Sequence, residues 1–365
     1  MKVLLTGSTG YIGRRLKQKL LNDENIELKL LVRNKKSVSS LNENTQIIEG
    51  DTFNKESLKE ALKDVEVAYY LIHSLSNENY KDLDKTSAQN FLDIAAECGV
   101  KRIIYLGGLG VKDENTSEHL LSRIETGEIL SSNKNVQTIW LRAGVIIGSG
   151  SASFEIIRNL TEKLPIMTTP KWVNTKAQPI AVTDVLSYLH KSLYLDVKEN
   201  LIVDIGSEQL SYKNMMLKTA KVLGLKRILI TLPFMSIKLS SYWLNLFTPV
   251  PYAVAKALVE GLKSEVIIQN DHAKKYFPNI FPISYEDAVA NAIKEIEENQ
   301  VISRWNDKAD DVWEKNSQNE LSKAIFIDRK EMVISNIEAS KVYQSFIGIG
   351  GESGWFDFDF LWELR

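Results

Sequence analysis

The chain opens with glycines whose spacing could hold a phosphate group. Gly7, Gly10 and Gly13 stand three residues apart, between the apolar segment 3–5 and an amphipathic helical pattern. Glycine lets a ligand approach the main chain, and the first turn of a helix presents free N–H groups with a partial positive charge. This order predicts a turn that binds the diphosphate of a dinucleotide, with an ordinary strand-to-helix loop as the alternative. The cofactor contacts expected from this turn are Gly7, Thr9, Gly10, Tyr11, Ile12, Gly13 and Arg14.

The end of the second predicted strand indicates which dinucleotide the turn would bind. NAD-binding proteins usually have an acid there, which holds the ribose 2′-hydroxyl. Here strand 28–32 is followed by Arg33 and two lysines, without an acid. A guanidinium can bind a 2′-phosphate through two hydrogen bonds, whereas a carboxylate would repel it. We therefore expect NADP rather than NAD, with Arg33 binding the phosphate and Arg14 assisting; a solvated basic loop is the alternative.

Two further strand ends carry residues that should face the same cofactor. Asp51 and Thr52 follow the third strand, where the adenine should lie, although Asp51 could equally cap the next helix. Ile72 and His73 follow the fourth strand, beside the expected nicotinamide ribose, although His73 could equally be a structural histidine. Because ligands of such sheets bind at the carboxyl ends of the strands, we add all four to the predicted cofactor site.

The elements that must position these residues alternate between strands and helices. Near-continuous apolar strands separated by amphipathic helices predict an α/β fold with a doubly wound parallel sheet, the Rossmann arrangement. We expect residues 1–150 to form the NAD(P)-binding domain and residues 151–300 a smaller substrate-pocket region packed on it. A polar linker, 301–323, should precede 324–365, the truncated start of an α+β C-terminal domain. The predicted strands are 3–5, 28–32, 47–48, 65–72, 103–106 and 138–141, with a further strand at 201–205.

Composition narrows the classes of partner. The net charge of −2 gives no electrostatic reason to expect nucleic acid as a partner. With one cysteine, Cys98, and four scattered histidines, neither a disulfide nor a metal site is expected. The first strand leaves no room for a signal peptide, so we expect a cytoplasmic protein with a small-molecule substrate. The apolar segment 228–247 is interrupted by Pro233 and Lys238, which argues against membrane contact and favours packing around a substrate pocket.

Several of these segments together carry a family resemblance. The first 300 or so residues resemble the atypical extended short-chain dehydrogenase/reductases, the NmrA-like relatives of sugar-nucleotide epimerases. The chain is more closely similar to bacterial NAD(P)H-binding proteins with a C-terminal domain of unknown function, whose opening resembles residues 354–365. The segments that carry the wider resemblance are 6–13, 31–33, 50–51, 69–74, 102–108, 141–144 and 178–185, and those of the subgroup are 102–110, 146–151 and 239–243.

The chain departs from this family at the catalytic positions. Short-chain dehydrogenases use Tyr and Lys four residues apart, usually with Ser or Thr after the fifth strand; the Tyr moves the proton, and the Lys lowers its pKa and holds the ribose. The matching positions are His119 and Arg123, and the fifth strand ends in Gly107 and Gly108. The resemblance therefore implies either that His119 acts as the acid and Arg123 holds the ribose, or that the pair is degenerate and does not turn over.

These expectations define one main function and two alternatives. The main one is NADPH-dependent reduction of a small apolar or quinone-like substrate, in a pocket closed by segments 147–154, 179–182 and 234–247. The first alternative is a non-catalytic NAD(P)H-binding redox sensor or assembly protein. The second is epimerase-like chemistry.

Overall fold

Seven parallel strands form the central sheet and bring the predicted cofactor residues to one edge. All strands of the described residues, in chain order and including those outside the central sheet, are β1 Lys2–Thr6, β2 Glu27–Val32, β3 Thr45–Glu49, β4 Val67–Tyr70, β5 Arg102–Gly108, β6 Gln137–Ala143, β7 Ile146–Ile147, β8 Ile166–Pro170, β9 Lys176–Ala177, β10 Ile180–Ala181, β11 Leu201–Ile205, β12 Leu210–Ser211 and β13 Ile228–Leu232. The order across the sheet is β3–β2–β1–β4–β5–β6–β11, and all neighbours are parallel. The strand order reverses between β1 and β4, where such sheets open a ligand crevice. The predicted doubly wound fold is confirmed.

Helices cover both faces of this sheet. The α-helices of the described residues, on the sheet and elsewhere, are α1 Tyr11–Leu21, α2 Lys55–Leu62, α3 Tyr80–Glu97, α4 Glu118–Leu130, α5 Ala152–Lys163, α6 Val182–Lys191, α7 Tyr212–Val222, α8 His272–Tyr276, α9 Tyr285–Glu297 and α10 Ala339–Ile347. Within β1, Val3 and Leu5 pack in one core with α1 and α6, whereas Leu4 packs in the other with α2, α3 and α4. This alternation follows from the two-residue period of a strand, and burial on both faces explains the continuous apolar runs.

A third core lies beyond the strands and is built by residues 145–292. Helices α5, α7 and α9 contribute buried side chains to it, among them Phe154, Met215 and Tyr285. The short strand pairs β7–β10, β9–β12 and β8–β13 lie in the same part of the chain. This core belongs to the same compact unit, residues 1–312, as the central sheet.

The computed structural model describes residues 1–38, 42, 44–73, 80–112, 114, 116–232, 261, 264–304 and 337–348. The second unit, residues 313–365, contains α10 among the described residues. The apolar segment predicted at 228–247 forms β13 over its first five residues, and its remainder lies outside the described part of the chain. Across the described ranges, no helix combines the length and hydropathy that a bilayer crossing requires.

Candidate functional site

The glycine turn joins β1 to α1 in a conformation that side chains would obstruct. Gly7 has a φ of +69°, and a Cβ there would overlap the carbonyl oxygen of Leu71. A Cβ on Gly13 would overlap the carbonyl oxygen of Gly7, so no larger residue lets α1 approach the turn this closely. Gly10 is the N-cap of α1 and supplies no side-chain hydrogen bond to its first turn. The first N–H groups of α1 therefore remain available to an anion, as the spacing predicts.

A cofactor cleft of about 270 Å³ opens directly beside this turn. It brings together residues that follow four different strands of the sheet, which is the arrangement expected at a switch point. Most of the predicted cofactor residues line it, namely Gly7, Thr9, Gly10, Arg33, Asp51, Thr52, Ile72 and His73. The other lining residues, which are not among the predicted cofactor contacts, are Leu31, Val32, Gly50, Phe53, Leu71 and Leu83. The cleft has the shape and the open helix terminus that a dinucleotide needs.

The two predicted cations occupy different positions. Arg33 follows β2 with an exposed side chain at the wall of the cofactor cleft. Arg14 instead donates a 2.7 Å hydrogen bond from Nε to the carbonyl oxygen of Thr9, which braces the glycine turn. Of the pair, Arg33 is therefore the one that lines the cleft.

The two residues after β3 contribute to the cleft in different ways. Asp51 accepts a 3.0 Å hydrogen bond from the N–H of Phe53, whereas Asn54 caps α2 by accepting from Glu56 and Ser57. The alternative in which Asp51 caps this helix is therefore wrong, because the helix begins one turn later. The buried hydroxyl of Thr52 accepts from Ser87 at 2.7 Å, so its side chain already has a partner.

The remaining residues of the turn lie away from the cleft. The ring of Tyr11 lies 5.2 Å beneath the guanidinium of Arg15, and its buried hydroxyl lies against Gly148. Burial raises the pKa of this phenol above its ordinary value. Ile12 lines a different cavity, described next. Among the predicted contacts of α1, only main-chain N–H groups thus remain to meet a ligand in the cleft.

An apolar cavity of about 320 Å³ lies at the carboxyl ends of β5 and β6. Helices α5 and α7 line it with Ile156, Ile157, Leu160, Tyr212 and Met216, positions that the sequence did not indicate. Of the segments predicted to close the pocket, 147–154 contributes Ser153, 179–182 is not among the lining residues, and 234–247 lies outside the described residues. The other lining residues are Ile12, Leu106, Gly107, Gly108, Leu109, Ser117, His119, Leu120, Arg123, Ala143, Gly144, Val145, Ile146, Gly261 and Val266.

A chain of hydrogen bonds connects the cofactor cleft with the apolar cavity. Nδ1 of His73 lies 2.8 Å from Oδ2 of Asp84, and Nε2 of His73 lies 3.1 Å from Nδ1 of His119. The Asp84 carboxylate also accepts from the hydroxyl of Ser122 at 3.1 Å. His73 lines the cleft and His119 lines the cavity, so the three side chains span the boundary between them.

Asp84 is the site residue that sequence reasoning missed. Its side chain is only 4% exposed. A signal was present, since Asp84 shares a helix face with Ala88, Phe91 and Ala95, all of which are buried. A carboxylate on the buried stripe of an amphipathic helix requires a partner, and here the partner is an imidazole.

Burial controls the protonation of the two imidazoles. It lowers the pKa of His119 to about 3, and the neighbouring His73 and Arg123 act in the same direction. Burial also lowers the pKa of His73, against the opposing hydrogen bond of Asp84. Both histidines are therefore neutral near pH 7.

Arg123 is held by the end of β5. Its Nη2 donates to the carbonyl oxygen of Leu106, and its guanidinium carbon lies 5.8 Å from the ring centroid of Tyr105. The Tyr105 hydroxyl donates to the Arg123 carbonyl oxygen at 3.0 Å. Helical spacing places Arg123 beside His119 at the cavity, as predicted, while its binding of a ribose stays a prediction.

A packing contact explains why glycine, rather than a residue with a hydroxyl, stands at Gly107 near the end of β5. A Cβ on Gly107 would overlap Nε1 of Trp140, and a Cβ on Gly127 would overlap the indole ring. Trp140 is 4% exposed, on β6. The indole therefore occupies the space that a side chain at residue 107 would need.

Comparisons with known proteins support the domain and the fold. Residues 7–143 match a protein-family model described as NAD(P)H-binding. Over 125 residues the chain is 31% identical to the auxiliary protein GraX of Staphylococcus aureus, an alignment that spans 33% of this chain and 40% of that relative.

Solved structures show the same architecture. Triphenylmethane reductase from Citrobacter sp. superposes with a TM-score of 0.66 at 20% identity, covering 80% of this chain and 100% of that one. A nucleoside-diphosphate-sugar epimerase from Staphylococcus aureus has a TM-score of 0.64 at 15% identity, with coverage of 80% and 100%. At these identities the likeness shows the fold alone. Residues 7–143 are thus an NAD(P)H-binding domain within a Rossmann fold shared with epimerases and reductases, consistent with the atypical, NmrA-like short-chain dehydrogenase/reductases.

Proposed function

We propose that this protein binds NADPH in the cofactor cleft and reduces a small, uncharged, apolar substrate in the apolar cavity. One observation carries the proposal: the cleft and the cavity meet where His73 of the cleft lies 3.1 Å from His119 of the cavity. A cofactor bound by the glycine turn and a substrate held among apolar side chains would share this boundary. Such proximity is the first requirement of a transfer reaction.

The choice of NADPH over NADH depends on Arg33. Its exposed guanidinium stands at the end of β2, beside the cleft, where NAD-binding proteins carry an acid. A planar guanidinium can donate two parallel hydrogen bonds to a 2′-phosphate. The nearby acid Glu49 accepts from the N–H of Lys35 at 3.1 Å, so that carboxylate is engaged by the loop.

The substrate class follows from the lining of the apolar cavity. Aliphatic side chains dominate it, and Arg123, its cation among the described lining residues, already donates to the carbonyl oxygen of Leu106. A nucleotide sugar would require several polar partners for its diphosphate, whereas the polar side chains of the described lining are limited to Ser117, His119, Arg123, Ser153 and Tyr212. Quinones and enals fit this lining better.

The chain's own groups would divide the chemistry between binding and proton transfer. When bound, the nicotinamide supplies a hydride. The glycine turn and the first N–H groups of α1 hold the diphosphate, and the cavity walls exclude water from the acceptor. His119 replaces the family tyrosine as the group that exchanges a proton with the acceptor.

A non-catalytic role is the second candidate function. The family tyrosine and the hydroxyl after β5 are replaced by His119 and Gly107, and the relative GraX is named an auxiliary protein. In that case NADPH occupancy would change a surface that another protein reads.

Cofactor binding is tested by titrating the purified protein with NADPH and NADH and following the heat released. We expect NADPH to bind at least about tenfold more tightly, because one bidentate pair contributes more than 1 kcal/mol. Arg33→Glu should abolish this preference. Lys36→Glu makes the same charge change on an exposed loop residue outside the cleft and should preserve it. Equal affinities of the wild-type protein for both cofactors would overturn the NADP assignment.

Turnover separates the two candidate functions. The loss of reduced nicotinamide absorbance is followed with a panel of quinones, flavins and enals. Oxidation that depends on one acceptor class supports the reductase. Tight NADPH binding without oxidation by any member of the panel favours the auxiliary role.

A further inference from the structure

We infer that Asp84, His73 and His119 form a proton relay that ends at the apolar cavity, in which Nε2 of His119 exchanges the proton with the substrate. The inference rests on the proposed reductase function and adds to it two positioning residues, Asp84 and His73. His119 alone would touch the acceptor.

Helices α3 and α4 carry two of the three side chains of the relay, and His73 follows β4. Asp84 lies on α3 and His119 on α4, and the Ser122 hydroxyl of α4 donates to the same carboxylate as His73. Two ion pairs flank this contact, Lys81 with Glu118 at 2.9 Å and Lys85 with Glu125 at 3.1 Å. Asp84 thus joins a hydroxyl of α4 and the imidazole of His73 in one hydrogen-bonded group.

The hydrogen bonds determine which ring nitrogens carry protons. An ionised Asp84 can only accept, so Nδ1 of His73 must carry the proton between them. Nε2 of His73 then has a lone pair, which requires Nδ1 of His119 to be the donor of the second bond. Nε2 of His119 is left with a lone pair, in a side chain that lines the apolar cavity.

One additional proton changes Nε2 of His119 from a hydrogen-bond acceptor into a donor. The proton can reside on His119, on His73 or on Asp84. As long as both hydrogen bonds persist, each of these three forms places an N–H at Nε2 of His119. The relay therefore converts proton uptake at any of its members into a donor at one atom, Nε2 of the cavity-lining His119.

The proton balance of a reduction follows directly. The acceptor is reduced by the hydride, and its oxygen takes the proton from Nε2 of His119, so an N–H bond breaks as an O–H bond forms. The relay returns to its lone-pair form, and Nε2 of His119 regains a proton from water that enters the cavity between turnovers, because both ring nitrogens of His73 are hydrogen-bonded. Among the described residues, the charged and titratable groups that face the two imidazoles are Asp84 of α3 and Arg123 of α4.

Tautomers can be read directly by nitrogen NMR of the imidazole rings, without any turnover. The chain has four histidines, so the spectrum contains four rings, and His190 and His272 serve as internal references. In the free protein at neutral pH we expect the proton on Nδ1 in both His73 and His119. Asp84→Asn removes the charge that orients His73 and should shift the signals of both rings. A proton on Nε2 of His119 in the wild-type protein, or unchanged His119 signals in a folded Asp84→Asn variant, would overturn the relay.

The pH dependence of the reduction rate and the kcat of variants test whether the relay acts in catalysis. With the relay resting in its lone-pair form, the rate of acceptor reduction should rise as the pH falls from 8 to 6. Asp84→Asn should lower kcat by about 100-fold with little change in KM for NADPH, and His73→Phe should lower kcat to a similar extent, because general acid catalysis is lost. Asp93→Asn changes an exposed carboxylate on the same helix and should leave kcat unchanged. If no acceptor is reduced, the proposed function fails, while the ring tautomers still decide whether the relay exists.

Discussion

An imidazole and a guanidinium stand at positions 119 and 123, where the resembled family has a phenol and an ammonium. A phenol releases its proton only when a cation lowers its pKa, whereas the His119 imidazole, whose pKa burial lowers to about 3, carries no additional proton near neutral pH. His119 has instead a second imidazole and a buried carboxylate behind it, His73 and Asp84. Residue chemistry at this site therefore depends on which nitrogen holds a proton.

The buried histidines should make stability depend on pH below neutrality. In the folded protein the pKa of His73 is lowered and that of His119 falls to about 3, whereas in the unfolded chain both are close to 6.5. Their contribution is fully present above pH 6.5 and is lost as the pH falls towards the folded pKa, because only the unfolded chain then binds the protons. His119 should cost about 1 kcal/mol of unfolding free energy per pH unit in that range, and the lowered pKa of His73 acts in the same direction.

Urea unfolding between pH 7 and pH 5 measures this dependence. His119→Gln should reduce the slope of the unfolding free energy against pH, since this histidine no longer titrates. His272→Gln removes a histidine near the surface and should keep the wild-type slope. An unchanged slope for His119→Gln would show that His119 titrates normally in the folded protein.

At the scale of elements, β5, β6 and α4 explain why the family hydroxyl is absent. Trp140 of β6 fills the space over Gly107 of β5 and against Gly127 of α4. Large-to-small complementarity of this kind couples the residues, so that one cannot change without the other.

Restoring a hydroxyl at this position should therefore destabilise the protein. Gly107→Ser places a Cβ against the indole nitrogen and should lower the unfolding free energy by about 2 kcal/mol, as overpacked cores do. In a Trp140→Phe background, which lacks that nitrogen, the same change should cost less. Thermal unfolding of the two single variants and the double variant measures the coupling; strictly additive losses would mean that Trp140 is not the obstacle.

At the scale of the whole first unit, a buried ion pair connects the Rossmann sheet to the third core. Arg15 of α1 donates to Glu295 of α9 at 3.0 Å and to the Ser149 hydroxyl at 2.7 Å, with a side chain only 2% exposed. The same arginine donates to Ser303 at 3.2 Å, whose hydroxyl donates to the carbonyl oxygen of Tyr11. Helix α1, which follows the glycine turn, is thus hydrogen-bonded to α9 and to Ser149 and Ser303.

Removal of the carboxylate should leave the arginine charge buried without its counter-ion. Glu295→Gln is expected to lower the unfolding free energy by about 3 kcal/mol. Glu297→Gln removes an exposed charge two residues along the same helix and should change stability by less than about 0.5 kcal/mol. Denaturant titration of both variants checks the difference, and equal effects would contradict a structural role for the Arg15–Glu295 pair.

Local patterns in the amino-acid sequence determined the sheet, the glycine turn and the position of Arg33. Their cause is short-range: strand period, backbone freedom at Gly7 and the residue type after each strand act over a few positions. The same reasoning placed His119 and Arg123 on one helix face, because that spacing is also local.

Only the tertiary structure decided what surrounds these residues. Asp84 and His119 are 35 positions apart and Gly107 and Trp140 are 33 positions apart, so no local rule connects either pair. Their contacts arise because α3 and α4 pack together and β6 lies beside β5, so long-range packing decided the relay, the missing hydroxyl and the lining of the apolar cavity.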